Sequence, residues 1–129
     1  FHPDVDDRCP RCNTLETTIH ILRDCPWAKM IWLLSPGILP LSFFHLPLQS
    51  CLKTNAISDS IIQGHQLPWK IFFCFLCWQL WLVRNERIFQ NQSSSQSYLV
   101  HKVVQLAIEF FYLAFLAKTI KSGIPRIIK

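Results

Sequence analysis

The chain is 129 residues long, the length of about one domain, and half of its residues are hydrophobic, enough to bury a core. Three glycines against eight prolines argue against a β-rich, turn-rich architecture. The formal charge of +5 is uneven: residues 1–30 hold five acids and four bases, residues 31–129 three acids and nine bases. The body is therefore mildly basic, compatible with nucleic acid without being diagnostic of it.

Phe1–Arg8 reads as an extended lead-in, with Asp4, Asp6 and Asp7 solvated. It is too polar and acidic for a signal peptide. The six cysteines then point to a reducing, intracellular compartment, nuclear or cytoplasmic. A secreted disulfide framework would also use six cysteines. Cys74 and Cys77, however, lie inside an apolar helical run and not in loops.

Cys9, Cys12, His20 and Cys25 form a Cys-x2-Cys-x7-His-x4-Cys pattern. Three thiolates and one imidazole are a complete tetrahedral set for zinc, with no position left for water. A closed site of that kind holds structure and does not activate a nucleophile. Pro10-Arg11 makes a turn tight enough for both flanking sulfurs to reach one ion. Asn13 or Thr14 can cap a short helix, with Glu16 placed as in a capping box. The break before the next helix falls at Asp24 or Cys25, and Pro26 suits that helix's first position. Three thiolates on a divalent ion leave a net charge of about −1, which Arg8, Arg11 and Arg23 would offset. The competing reading takes the cysteines as small core residues; the close Cys-x2-Cys pair weighs against it. His2 is a bystander.

Pro26–Leu34 reads as a helix whose apolar face carries Trp27, Ile31 and Leu34, with Met30 filling gaps, and Pro36-Gly37 ends it. Residues 35–68 are an irregular, Pro-rich connector. A short helix starts at Leu48–Cys51, and a second, capped by Asn55 or Ser58, covers Asn55–Gly64. His45, Cys51 and His65 lie here, at spacings that fit no compact ligand set. Trp69 to about Gln90 is the strongest helix. From Ile71 to Val83 only Gln79 is polar, so the helix is buried on several sides. Thirteen residues are too few to cross a bilayer, and no membrane association is expected. Cys74 and Cys77 share a helical face but lack a partner pair, and read as core residues. Asn91–Ser97 is a polar connector; its Asn91-Gln92-Ser93 triplet is a chance glycosylation signal. Ser97 caps a last helix, Tyr98 to about Lys121, with a stripe of Leu99, Val103, Leu106, Phe110, Leu113 and Ala117. It folds back on the preceding helix as a hairpin. Residues 122–129 are a basic tail.

The Cys-Pro-Arg-Cys run, Glu16-Thr17, His20, Cys25, Ala28 and Trp32 resemble the zinc-binding domain of plant non-LTR (LINE-type) retrotransposon reverse transcriptases. A second feature of that family, a helical Trp-x2-Arg-Asn-x3-Phe, is present as Trp81, Arg84, Asn85 and Phe89. The two features come in the family's order. The resemblance implies a module between a polymerase and a ribonuclease H domain, helping to hold template RNA or target DNA. Both enzyme domains are missing here, and the chain reads as a piece of a longer polyprotein.

The expectation is a mainly α fold: a zinc-binding loop with two short helices (1–34), the connector (35–68), the helical hairpin (69–121) and the tail (122–129). Zinc is the one cofactor. No catalysis is expected, since after Asp59 the only acids are Glu86 and Glu109, on different helices. Two roles stay open. One is RNA or DNA contact through Arg11, Arg84 and Arg87, against which Arg84 and Asn85 are read as hydrogen-bonding to neighbouring loops. The other is docking onto neighbouring domains of the polyprotein, with no nucleic acid involved.

Overall fold

The computed structural model describes residues 7–90 and 95–122, and of 87–90 the backbone alone. The order is a π-helical turn at His20–Asp24, α1 (Pro26–Leu34), α2 (Leu48–Ala56), the strands β1 (Ile61–Ile62) and β2 (Leu67–Pro68), α3 (Trp69–Gln90) and α4 (Gln96–Lys121). The fold is mainly α, with α3 and α4 as the expected hairpin. The connector 91–94 and the tail beyond Ser122 lie outside the described residues.

Trp32 is the centre of the core. Its ring is fully buried and lies 5.0 Å from Phe43, 5.4 Å from Phe73 and 6.2 Å from Trp69, centroid to centroid. Its indole N–H donates to the carbonyl of Leu22 at 2.7 Å, so the one polar atom of the ring is satisfied inside. One side chain thus joins the π-turn, the 41–45 loop, α1 and α3. The buried face of α1 is Ala28, Ile31 and Trp32, whereas Met30 and Leu34 are exposed. The expected face of Trp27, Ile31 and Leu34 is rotated, because Trp32 is the tryptophan of α1 that packs against Phe73 and Trp69 of α3, while Trp27 is only half-buried.

In the connector, α2 is a single helix and Asn55 lies within it. Asn55 is buried, donating to the Cys51 carbonyl at 2.7 Å and accepting from the Trp69 indole at 2.9 Å. The helix expected over Asn55–Gly64 is absent. An antiparallel hairpin stands there, pairing Ile61 with Pro68 and Ile62 with Leu67. Gly64 at φ 87° and Gln66 at φ 53° make the reversal, a left-handed conformation that no helix interior allows. The N–H of Trp69 then donates to Ser60 at 2.9 Å and launches α3 from the hairpin.

α3 runs from Trp69 to Gln90 as the pattern predicts. Its burial does not follow polarity residue by residue. Gln79 is buried, while Cys74 and Trp78 are exposed. Cys77 is half-buried, so the pair lies at the edge of the core and not within it. α4 is capped two residues earlier than expected, by Ser95 and not Ser97: Ser95 Oγ accepts from the Tyr98 N–H at 3.0 Å. Leu99, Val100, Val103, Val104 and Ala107 are buried, but from Phe110 onward the same helix is exposed on every side. The apolar stripe is therefore packed over its first half only.

Gly37 approaches Trp69 so closely that an added Cβ would lie 2.5 Å from two ring carbons. The ring is walled in by Phe72 and Asn55 and cannot swing away. Gly37→Ala is expected to cost about 1–3 kcal/mol, as overpacked core sites do, measured by urea unfolding. Gly64→Ala, where nothing lies within 4 Å, costs only its backbone strain, about 1–2 kcal/mol.

Candidate metal centre

The first two ligand residues sit on a short looped-back segment. Arg8 and Leu15 form an antiparallel bridge, and the N–H of Cys9 donates to the Thr14 carbonyl at 2.7 Å. Asn13 takes a left-handed conformation, φ 62°, which Asn tolerates better than most residues, and its N–H returns to the Cys9 carbonyl at 2.8 Å. The turn turns both sulfurs inward, and the N–H of Arg11 donates to Cys9 Sγ at 3.4 Å.

The third and fourth ligand residues depend on the π-turn. His20 and Cys25 are five positions apart, and in an α-helix at 100° per residue they would point about 140° apart. The wider turn corrects this: the Cys25 N–H donates to the His20 carbonyl at 2.9 Å, an i→i+5 bond, and brings the thiol back over the imidazole. The turn is started by Thr17, whose Oγ1 accepts from the His20 N–H at 3.2 Å. The predicted cap at Asn13 or Thr14 is not made, because those residues belong to the cysteine loop.

The four ligand atoms lie within 4.8 Å of one another. Cys9 and Cys25 Sγ are 3.8 Å apart, and Cys12 Sγ is 3.2 Å from His20 Nε2. Tetrahedral zinc with Zn–S bonds near 2.3 Å would space two sulfurs by about 3.8 Å, so the donors fit such an ion. Cys9, His20 and Cys25 are buried and Cys12 is half-buried. Burial pushes the Cys25 thiol up to about 11, opposed by the N–H groups of Trp27 and Ala28 at the start of α1. The Thr14 hydroxyl holds the Cys12 thiol below its ordinary value. The space left beside Cys9, His20 and Cys25 is about 30 Å³, far below the ~300–1,000 Å³ of a ligand pocket.

The arginines near the site are engaged locally. Arg11 stacks over Trp27, its guanidinium carbon 3.7 Å from the ring centroid. Arg23, expected to offset the charge of the cluster, is turned away. It pairs with Asp24 at 2.6 Å and donates to the carbonyls of Phe43 at 3.0 Å and Leu46 at 2.6 Å. Arg84 reaches from α3 to Glu16 just after the cysteine loop, its Nε 2.9 Å from Oε1, with a second contact from NH2. The Glu16 side chain is only 5 % exposed and Arg84 31 %. Asn85 is half-buried nearby, and the side chain of Arg87 lies outside the described residues, as does His2.

A loop partner for Arg84 is the expectation from the sequence, but its identity as Glu16 was not legible there. Each belongs to one of the two family-like motifs, and 68 positions separate them. An acid fixed beside a cysteine cluster, with a lone Arg-Asn on an apolar helix, was the available signal. Among the described residues no second group of His, Cys and acids converges as a metal-binding set, and His45 and His65 are exposed. Comparison with protein-family models, curated proteins and solved structures finds no match to this chain.

Arg84→Ala strands a buried carboxylate and is expected to destabilise the fold by roughly 2–4 kcal/mol. Adding Glu16→Gln to it recovers part of that loss. Chemical denaturation of the two single variants and the double variant measures the coupling.

Proposed function

We propose that this chain is a non-catalytic zinc-binding module of the kind carried by retrotransposon reverse transcriptases. The observation behind the reading is the convergence of Cys9, Cys12, His20 and Cys25 within 4.8 Å. Three thiolates and an imidazole suit zinc among the common divalent ions. Four protein ligands fill a tetrahedral shell and leave no position for a metal-bound water, so the ion supplies folding energy and not a nucleophile. In zinc-finger peptides metal binding is worth on the order of 10 kcal/mol or more. Residues 7–25 need such a contribution, because the segment is mostly loop, with one π-turn. The retroelement assignment rests on the motif resemblance, and the Glu16–Arg84 pair supports it, since it makes the two motifs one structural unit.

Of the two roles open to such a module, the geometry favours docking onto neighbouring domains of a longer chain. Arg84 is committed to a buried Glu16, and Arg11 to Trp27. Neither presents an unengaged guanidinium to a phosphate backbone. The outer face of α3 is apolar instead. Leu22, Leu52, Ala56, Phe73, Trp78 and Trp81 line a shallow groove of about 380 Å³ there, with Trp78 57 % exposed.

Metal analysis of the purified chain is expected to return one zinc per chain, and Cys12→Ser to lower both occupancy and melting temperature. A strong chelator should unfold the wild type and leave Cys12→Ser little changed. Retention of a full equivalent of zinc by Cys12→Ser would remove Cys12 from the ligand set. In a separate test, binding to single-stranded RNA should be weak. Tight binding that falls steeply with salt would restore the nucleic-acid role.

A further inference from the structure

The cluster of Cys9, Cys12, His20 and Cys25 is closed on one side and open on the other. On the inner side, beside Cys9, His20 and Cys25, only about 30 Å³ is left, walled by Glu16 and by Leu80 and Arg84 of α3. On the outer side Cys12 and Cys25 border a cavity of about 450 Å³, between the cysteine loop and the start of α1. Its other walls include Arg11, Trp27 and the exposed Met30. Cys9 and Cys25 are 5 % and 4 % exposed, whereas Cys12 is half-buried. A small solute therefore reaches the cluster from the outer cavity, and the sulfur it meets first is that of Cys12.

The reactive form of a cysteine is the thiolate, not the thiol. A cysteine that ligates zinc is deprotonated. Cys74 is the more exposed residue, but it stands outside the cluster, and desolvation holds its thiol above the ordinary value. Exposure alone would select Cys74; access together with thiolate character selects Cys12. We infer that Cys12 is a site of oxidative modification by hydroperoxides, through which the metal centre is opened; this rests on the zinc reading above.

The Cys12 thiolate attacks one peroxide oxygen, the O–O bond breaks and hydroxide leaves, so that a sulfenic acid remains on Cys12. The Cys25 thiolate, on the same cavity, then attacks the Cys12 sulfur. An S–S bond forms, the S–O bond breaks and a second hydroxide leaves. The two sulfurs have lost two electrons and the peroxide has gained them. The ligand atoms lie within 4.8 Å of one another, so the second step needs little movement. With two of its four ligands consumed, the site lets the ion go. Cys25 is also the cap residue of α1, so the loop and the start of that helix loosen together, while α3 and α4 stay packed on each other. A thiol reductant and added zinc reverse the change.

The full chain, loaded with zinc and with its metal content measured beforehand, is treated with less than one equivalent of hydrogen peroxide in the presence of dimedone, which traps sulfenic acids. Peptide mass spectrometry is expected to find the first adduct on Cys12, about tenfold or more above Cys9, Cys25 and Cys74. Without the trap, each peroxide consumed should release one zinc, followed with a metallochromic indicator, and leave a disulfide between Cys12 and Cys25. Cys74→Ser should leave the rate of release unchanged. First adducts on Cys9, Cys25 or Cys74 would overturn the inference, as would oxidation of Cys12 with the zinc retained. A purified chain that holds no zinc overturns the zinc reading and this inference together. A zinc-loaded chain that resists peroxide overturns this inference alone.

Discussion

Everything before α1 depends on four side chains meeting at one point. Between Asp7 and Cys25 the backbone forms a bridge, a left-handed residue and a π-turn. None of these is stable alone at this length, because each fixes several dihedrals for one or two hydrogen bonds. The convergence of Cys9, Cys12, His20 and Cys25 makes them mutually consistent. The same π-turn that turns Cys25 towards His20 also places Cys25 as the cap of α1. The ligand cluster therefore sets where the first regular helix begins and which way it points.

From that origin the orientation passes to the rest of the chain by three contacts of different chemistry. The buried carboxylate of Glu16 holds Arg84 of α3. The Trp32 ring fills the space between α1 and α3. The side chain of Gln96 donates to the Trp27 carbonyl at 3.0 Å, tying the start of α4 to the start of α1. An ion pair, an aromatic cluster and a side-chain-to-backbone hydrogen bond make demands at three separate places. Together they fix one arrangement of the loop on the hairpin, where an apolar contact alone would allow sliding.

The Cys/His cluster and the two long helices were legible because their signals are local. Cys9-x2-Cys12 is followed within 17 residues by His20 and Cys25, and a 13-residue apolar run between charges can hardly be anything but a helix. The features that escaped depend on distant partners. Gln79 is buried and Trp78 exposed on the same helix, since which face of α3 is covered is decided by α2, α4 and the π-turn, not by α3 itself. Ile61-Ile62 becomes a strand because Leu67-Pro68 is there to pair with it and Gly64 permits the reversal. The stripe on α4 is continuous in sequence and packed over half its length, because periodicity marks a face without supplying its cover.

The basic character of the body also reads differently once the side chains are placed. A guanidinium offers five donors in a fixed fork and stacks well on aromatic rings, and three arginines here serve as internal brackets. Arg84 holds a buried acid, Arg23 joins Asp24 to two loop carbonyls, and Arg11 covers Trp27. Formal charge counted along the chain therefore overstates the positive field available to a polyanion, since two of these cations are neutralised by acids within bonding distance. Lys118 and Lys121, exposed at the end of α4 with no acid in that turn, keep their charge unopposed within the described fold. Lys29, Lys53, Lys70 and Lys102 are exposed as well, so the remaining positive charge is carried by lysines on all four helices.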